Sequence, residues 1–262
     1  LALSLKASQE HNKLCVCVDE ETKKLITDKH RDVFDAIVDI PWNDDAKGDK
    51  WKIHNKWKYP HMTPYDETII LDSDMIFTDS VDHWWNYLAK KDVWCCTNVK
   101  TFRNEDVTSD YYRKKFTQLN LPNVYSNFTY FKKSELTFKF FKMVELIMVH
   151  WNVYFDKFLS GVGQNWMSAD VAYALAIQLL DIEAETCDYD IKDVPTFIHM
   201  KSMVQNVPAD QIQSNWTKSI TSELGDDLQV KIGNFTQTLP VHYVEKNWMD
   251  SSKIKQLEDA VL

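Results

Sequence analysis

The chain has 262 residues, 44% of them hydrophobic and 26% charged, which is the composition of an ordinary globular protein. A net charge of −9 with no offsetting basic cluster argues against nucleic acid or an anionic membrane surface as the main partner. No secretory leader is legible, and the most apolar helix candidate has ten uncharged residues between Glu145 and Asp156, well short of the ~20 a membrane span requires. Five cysteines without zinc spacing read as buried thiols in a reducing, cytoplasmic compartment. On that reading the glycosylation sequons at Asn127, Asn215 and Asn234 are coincidental.

The pattern opens on a helix over 1–12, where a parallel α/β sheet normally opens on a strand. The first strand is therefore expected to lie outside this sequence. A strand over 13–19 follows, then a helix over 20–29 and a strand over 34–40. Residues 51–63 look helical despite Pro60 and lead into a central strand, Thr68-Ile69-Ile70-Leu71, introduced by the turn-like Pro64-Tyr65-Asp66-Glu67. A short apolar run rich in β-branched residues suits a parallel strand buried on both faces. The alternation continues with a helix over 81–91 capped by Ser80, a strand over 92–99, a helix over 109–119 and a strand over 124–132. Ser134 caps a long amphipathic helix to about 159, with Glu135 in its first turn. Gly161-Val162-Gly163 reads as a loop and 169–180 as a helix. Short strands over 196–200, 228–232 and 239–244 and a helix over 251–262 complete the chain. The fold class this predicts is α/β, a mixed and mostly parallel sheet flanked by helices in one domain.

The central strand ends in Asp72-Ser73-Asp74, where open α/β sheets present ligands. Alternation puts both carboxylates on one side of the chain, where they repel unless a positive group lies between them. A divalent metal with hard oxygen ligands meets that need, and a structural cap at a strand end is the alternative. His242 follows an apolar run near the C-terminus and reads either as a third ligand or as a hydrogen-bonded core histidine. His199, in Phe197-Ile198-His199-Met200-Lys201, is its rival. By residue type alone Lys56 reads as a solvated helix lysine. By residue type alone Asp170 reads as a first-turn helix residue interacting with the dipole, and Asn127 as an ordinary strand or turn polar group.

Residues 56–74, KWKYPHMTPYDETIILDSD, resemble the donor-site stretch of family 8 glycosyltransferases, the group that includes glycogenin and bacterial galactosyltransferases. In that family a basic residue stands a fixed distance before an apolar strand ending in D-x-D; Lys56, Asp72 and Asp74 match those positions. Residues 240–248, PVHYVEKNW, resemble the family's H-x-x-G-x-K-P-W, with His242 and Lys246 at the metal and phosphate positions. Glu245 replaces the Gly, and the Pro before Trp248 is absent. Tyr125-Ser126-Asn127-Phe128 resembles the family's F-N-[SA]-G, and Ser168-Ala169-Asp170 its D-Q-D, each with substitutions.

The resemblance implies a single Rossmann-like nucleotide-diphospho-sugar transferase domain of the A type. Its donor half would cover about 1–100, a mixed acceptor half 101–250 and a terminal helix 251–262. It implies Mn²⁺ or Mg²⁺ on Asp72, Asp74 and His242, and a nucleoside-diphosphate sugar, UDP-linked by family habit. Lys56, Asp72, Ser73, Arg103 and Lys246 would contact that donor. Asp170 would steady the donor sugar, Asn127 would touch the acceptor, and transfer to a glycan, protein or small molecule would proceed with retention. Two alternatives remain. One is a haloacid-dehalogenase-like phosphatase using Asp72 and Asp74, with Gly225-Asp226-Asp227 as its later acidic motif and Lys201 or Lys218 as its lysine. The other is a decayed nucleotide-sugar or glycan-binding module.

Overall fold

The structure is a computed structural model that describes all residues except 10, 50–51, 108–112, 162–165, 190–193, 201–219 and 244–245, together with the side chain of Lys246. Helix α1 (Ala2–Ser8) leads to β1 (Cys15–Val18), α2 (Glu20–Lys23), α3 (Asp28–Val33) and β2 (Ala36–Asp39). The helix expected over 20–29 is broken because Thr27 starts a new turn, its backbone N–H donating to Nδ1 of His30 at 3.0 Å. Strands β1 and β2 pair in parallel, Cys15 opposite Ala36. A 3₁₀-helix (Lys52–Lys58) and α4 (Tyr59–Met62) then lead to β3 (Glu67–Leu71) and β4 (Met75–Ile76).

Next come α5 (Trp84–Leu88), β5 (Val93–Cys96), α6 (Lys114–Gln118) and β6 (Tyr125–Lys132). Helix α7 (Glu135–Val149) starts where the Ser134 side chain accepts from Thr137 N at 3.2 Å, and it breaks at His150. Beyond it lie α8 (Trp151–Tyr154), a π-helical turn (Phe155–Leu159), α9 (Ala169–Leu180) and α10 (Glu183–Thr186). The last part holds β7 (Ile198–His199), β8 (Ser222–Leu224), β9 (Val230–Ile232), β10 (Phe235–Thr236), β11 (Val241–His242), a 3₁₀ turn (Lys246–Trp248) and α11 (Ser251–Val261).

The mixed helix–strand class is as expected; the mostly parallel sheet is not. The central sheet runs β3-β6-β5, with β6 antiparallel to both neighbours. A second sheet, β4-β11-β7, has one antiparallel and one parallel pair, and β10-β9-β8 is antiparallel throughout. The apolar run of β3 follows from burial on both faces, which does not depend on strand direction. Ile70, Val93, Cys95 and Phe131 face α7 and α9, while Trp94, Cys96, Phe128 and Tyr130 face α1 and α5. Helix α9 is buried from Val171 to Ile177 on all sides, so its sequence carries little amphipathic signal.

A smaller core under the second sheet joins Ile76, Ile198, Val241 and Leu257 of α11. The edges of β1 and β3 flank a cavity of about 340 Å³, and no pairing joins them among the described residues. All five cysteines are free thiols, and no helix among the described residues is long and apolar enough to cross a membrane.

Phe140 is fully buried and packs edge-on to Phe141 and Tyr173, at 5.0 and 5.2 Å between ring centroids. Its truncation removes transfer energy and leaves a cavity that close-packed neighbours fill only in part. Phe140→Ala is expected to lower unfolding stability by about 3–5 kcal/mol in urea titration; a loss below about 1 kcal/mol would show that this core is not the one that holds the fold.

Candidate metal centre

Asp72 follows the last residue of β3, and Ser73-Asp74 make the turn into β4. The chain thus leaves one sheet and enters another within the D-x-D itself. Both ends of the turn are anchored by backbone bonds: Asp72 N donates to Asn127 O at 3.2 Å, and Tyr243 N donates to Asp74 O at 3.0 Å. Strand β11 lies antiparallel to β4 with His242 opposite Met75, which brings the imidazole beside the turn. Asp72, Asp74 and His242 each offer one ligand atom, and these atoms lie within 4.8 Å of one another.

His242 Nε2 stands 3.1 Å from Asp74 Oδ1. At that spacing the two atoms can share a hydrogen bond, and they are close enough to ligate one cation. Lys56 Nζ contacts Asp72 Oδ1 at 2.9 Å from a side chain that is itself buried. Burial alone would depress its pKa, but the Asp72 carboxylate outweighs that and holds the ammonium above its ordinary range. Lys56 answers the charge of Asp72, and His242 Nε2 lies against Asp74. A divalent cation fits this hard-oxygen and imidazole donor set.

The imidazole is also held by packing. Its ring lies 5.2 Å from His199 and 6.1 Å from Phe197 between centroids. His242 Nδ1 is buried without a hydrogen-bond partner among the described residues. His199, the rival ligand, is the register partner of His242 on β7 and is not a member of the three-residue set.

A second polar cluster adjoins the first through β6. Asp170, in the first turn of α9, accepts from Ser126 N at 2.9 Å and Ser126 Oγ at 2.6 Å, and pairs with Arg113 at 2.8 Å. Desolvation opposes ionisation of this carboxyl, yet Arg113 and the two Ser126 bonds prevail and hold its pKa at about 2. The Arg113 guanidinium lies 4.0 Å from the Phe116 ring and 3.9 Å from the Tyr125 ring, and also donates to Val124 O. Asn127, next to Ser126, has a buried Nδ2 with no hydrogen-bond partner among the described residues.

Of the expected site residues, Asp72, Asp74, His242 and Lys56 converge, with Asn127 and Asp170 on the adjoining strand and helix. Ser73 is exposed at the tip of the turn. Arg103 is exposed on a turn with its guanidinium over Phe102 at 5.4 Å, and makes no ion pair with the cluster among the described residues. Lys246 opens the 3₁₀ turn after β11; its side chain, like Lys201 and Lys218, lies outside the described residues. Asp226 and Asp227 occupy the turn between β8 and β9, where Asp227 Oδ1 accepts from Gln229 N at 3.1 Å. Arg113 was not foreseen, because an Arg-Lys-Lys run reads as a solvated helix face.

No protein-family model matches the chain, and no curated protein matches its sequence.

The Asp170 carboxyl is depressed from 3.8 to about 2 on folding, so its contribution is fully present above pH 3.8 and is lost as pH falls through about 2. For this partly shielded pair that amounts to about 2 kcal/mol. Urea titrations between pH 4 and pH 2 are expected to show a steeper loss of stability in the wild type than in Asp170→Asn. Parallel pH profiles would remove the proposed strength of the Arg113–Asp170 pair.

Proposed function

We propose that the protein is a metal-dependent glycosyltransferase that moves a hexose from a nucleoside-diphosphate sugar, UDP-linked by resemblance, to an acceptor hydroxyl. The observation that carries this reading is the meeting of Asp72, Asp74 and His242, with the histidine 168 residues from its partner acid in the chain. An acidic pair at a strand end is common. An acidic pair completed by the histidine that the family-like motif singled out is much less so. In this reading the chain forms one Rossmann-like domain of the A type, working with Mn²⁺ or Mg²⁺. A cytoplasmic setting agrees with the five free thiols.

A bound divalent cation at this site would act as a Lewis acid toward the diphosphate leaving group. The protein's own residues prepare the setting. Lys56 occupies one oxygen of Asp72 and fixes that carboxylate's orientation, leaving the second oxygen for a ligand. Ser73, Arg103 and Lys246 are the proposed polar contacts to the donor. Asp170, ionised throughout the neutral range, suits hydrogen bonding to sugar hydroxyls and electrostatic support of positive charge on the ring. It is unsuited to serve as a general acid, since it holds no proton near neutral pH. The Asn127 amide, without a hydrogen-bond partner for Nδ2 among the described residues, is a buried donor whose desolvation costs about 1–3 kcal/mol, and a ligand oxygen would satisfy it. Retention at the anomeric carbon follows from the family resemblance alone.

The phosphatase reading gains less support. Its later acidic pair, Asp226-Asp227, belongs to a hairpin turn, and Lys56 already engages the first Asp. A binding module without turnover uses the same residues and is separated by assay.

A nucleotide-sugar panel with Mn²⁺, read by mass spectrometry of products and release of nucleoside diphosphate, tests the reaction. Slow metal-dependent release from at least one donor is expected, whereas Mg²⁺-dependent hydrolysis of a generic phosphomonoester would favour the phosphatase. In calorimetry with Mn²⁺ and UDP, Asp74→Asn and His242→Ala are each expected to weaken binding by at least ~10–100-fold while leaving the circular dichroism unchanged. Wild-type affinity in both variants would sink the assignment.

A further inference from the structure

A separate cavity of about 900 Å³ opens at the carboxyl ends of the parallel pair β1 and β2, bordered by Asp19 on one strand end and Asp39 on the other. This is the end of a parallel pair at which ligands collect, and the volume is that of a small-molecule site. Its wall carries Trp42, which is 67% exposed. An indole is a large apolar surface to leave in water, and this one is also held in the left-handed backbone region, at φ 61°. For a bulky residue that conformation costs about 1–3 kcal/mol and persists only where surrounding contacts enforce it.

The enforcing contacts come from the 3₁₀-helix. Three residues per turn align Lys52, Asn55 and Lys58 on one face, and all three hold the loop that follows Trp42. Lys52 donates to Ala46 O at 3.1 Å, Asn55 donates to Asp44 at 2.6 Å, and Lys58 pairs with Asp45 at 2.9 Å. Trp57, on another face of the same helix, stacks beneath Trp42 at 5.7 Å with an interplanar angle of 11°. Trp57, together with His61 edge-on at 5.1 Å, supports the indole as a platform, which lowers the ordering cost for a ligand that stacks on it.

We infer that this cavity binds a neutral saccharide chain, with a sugar ring stacked on Trp42 and hydroxyls donating to the carboxylates around it. The C–H face of a pyranose matches an aromatic face, and carboxylates accept hydroxyl hydrogen bonds of the charge-assisted kind. A phosphate-bearing ligand fits less well. Carboxylates outnumber lysines in the lining by five to four, and two of the lysines are spent on Asp39 and Asp19, at 2.7 and 3.4 Å. Lys52 of this cavity and Lys56 of the metal centre stand on one helix, about 8 Å apart along its axis. The site stands without the transferase reading.

The test is calorimetric titration of the full chain in EDTA with uncharged malto-, cello-, galacto- and chito-oligosaccharides. At least one is expected to bind saturably. Trp42→Ala should lose roughly tenfold or more in affinity, Trp42→Phe should stay close to wild type, and Asp74→Asn should be unchanged. Asp39→Asn, at the opposite strand end and largely exposed, supplies an independent variant and is expected to weaken binding too. No binding by any member of the panel, equal affinity in Trp42→Ala and wild type, or a Trp42-dependent site for uridine or adenosine monophosphate in EDTA would each overturn the inference. Because the chelator removes metal, failure here leaves the donor site standing, and failure of metal-dependent donor binding leaves this site standing.

Discussion

Two carboxylates held within ligand distance of each other must be neutralised, and much of the polar architecture answers that demand. The turn from β3 to β4 cannot separate Asp72 from Asp74, because Asn127 O and Tyr243 N tie down its two ends. Lys56 compensates one charge from a buried position, and His242 is presented to the other by its register on β11. What remains is a three-donor set of two carboxylates and an imidazole, a combination that suits a divalent cation. The second sheet needs only two-residue strands for this task, since positioning a single imidazole requires one pair of register contacts.

The 3₁₀-helix distributes its side chains with the same economy. An α-helical turn would rotate successive residues by about 100°, and positions three apart would drift out of line. At three residues per turn they stay aligned over the seven residues from Lys52 to Lys58. One row holds the loop beyond Trp42, a second sends Lys56 to Asp72, and a third supplies Trp57 as a buttress. Such runs are uncommon at this length because their hydrogen bonds are poorer, and here side-chain anchors on each face compensate. A single short element thus links the metal centre to the Trp42 cavity.

The candidate site was more legible in sequence than the sheet that carries it. Asp72 and Asp74 could be named from their residue type and their place at a strand end, and Lys56 and His242 because the stretches that hold them resemble motifs of a known family. Strand direction could not be read, since Ile69, Ile70 and Leu71 are apolar for reasons of burial, and helices on both faces bury antiparallel strands as well as parallel ones. Met75-Ile76 is too short to show alternation, so β4 and the passage between sheets were invisible. The long helix expected over 134–159 breaks at His150 without a glycine or proline to announce it. Arg113 is hidden for a different reason: its partners Asp170, Phe116 and Tyr125 are assembled only by tertiary structure.

The central claim, that Asp72, Asp74 and His242 bind a divalent cation together, is open to one direct spectroscopic measurement. Electron spin-echo modulation of the protein titrated with Mn²⁺ reports nitrogen coordinated to the ion. The account predicts a bound Mn²⁺ with ¹⁴N modulation from one imidazole, lost in His242→Ala and retained in His199→Ala. A protein that binds no Mn²⁺, or whose bound Mn²⁺ shows the same nitrogen modulation after His242 is removed, would contradict it.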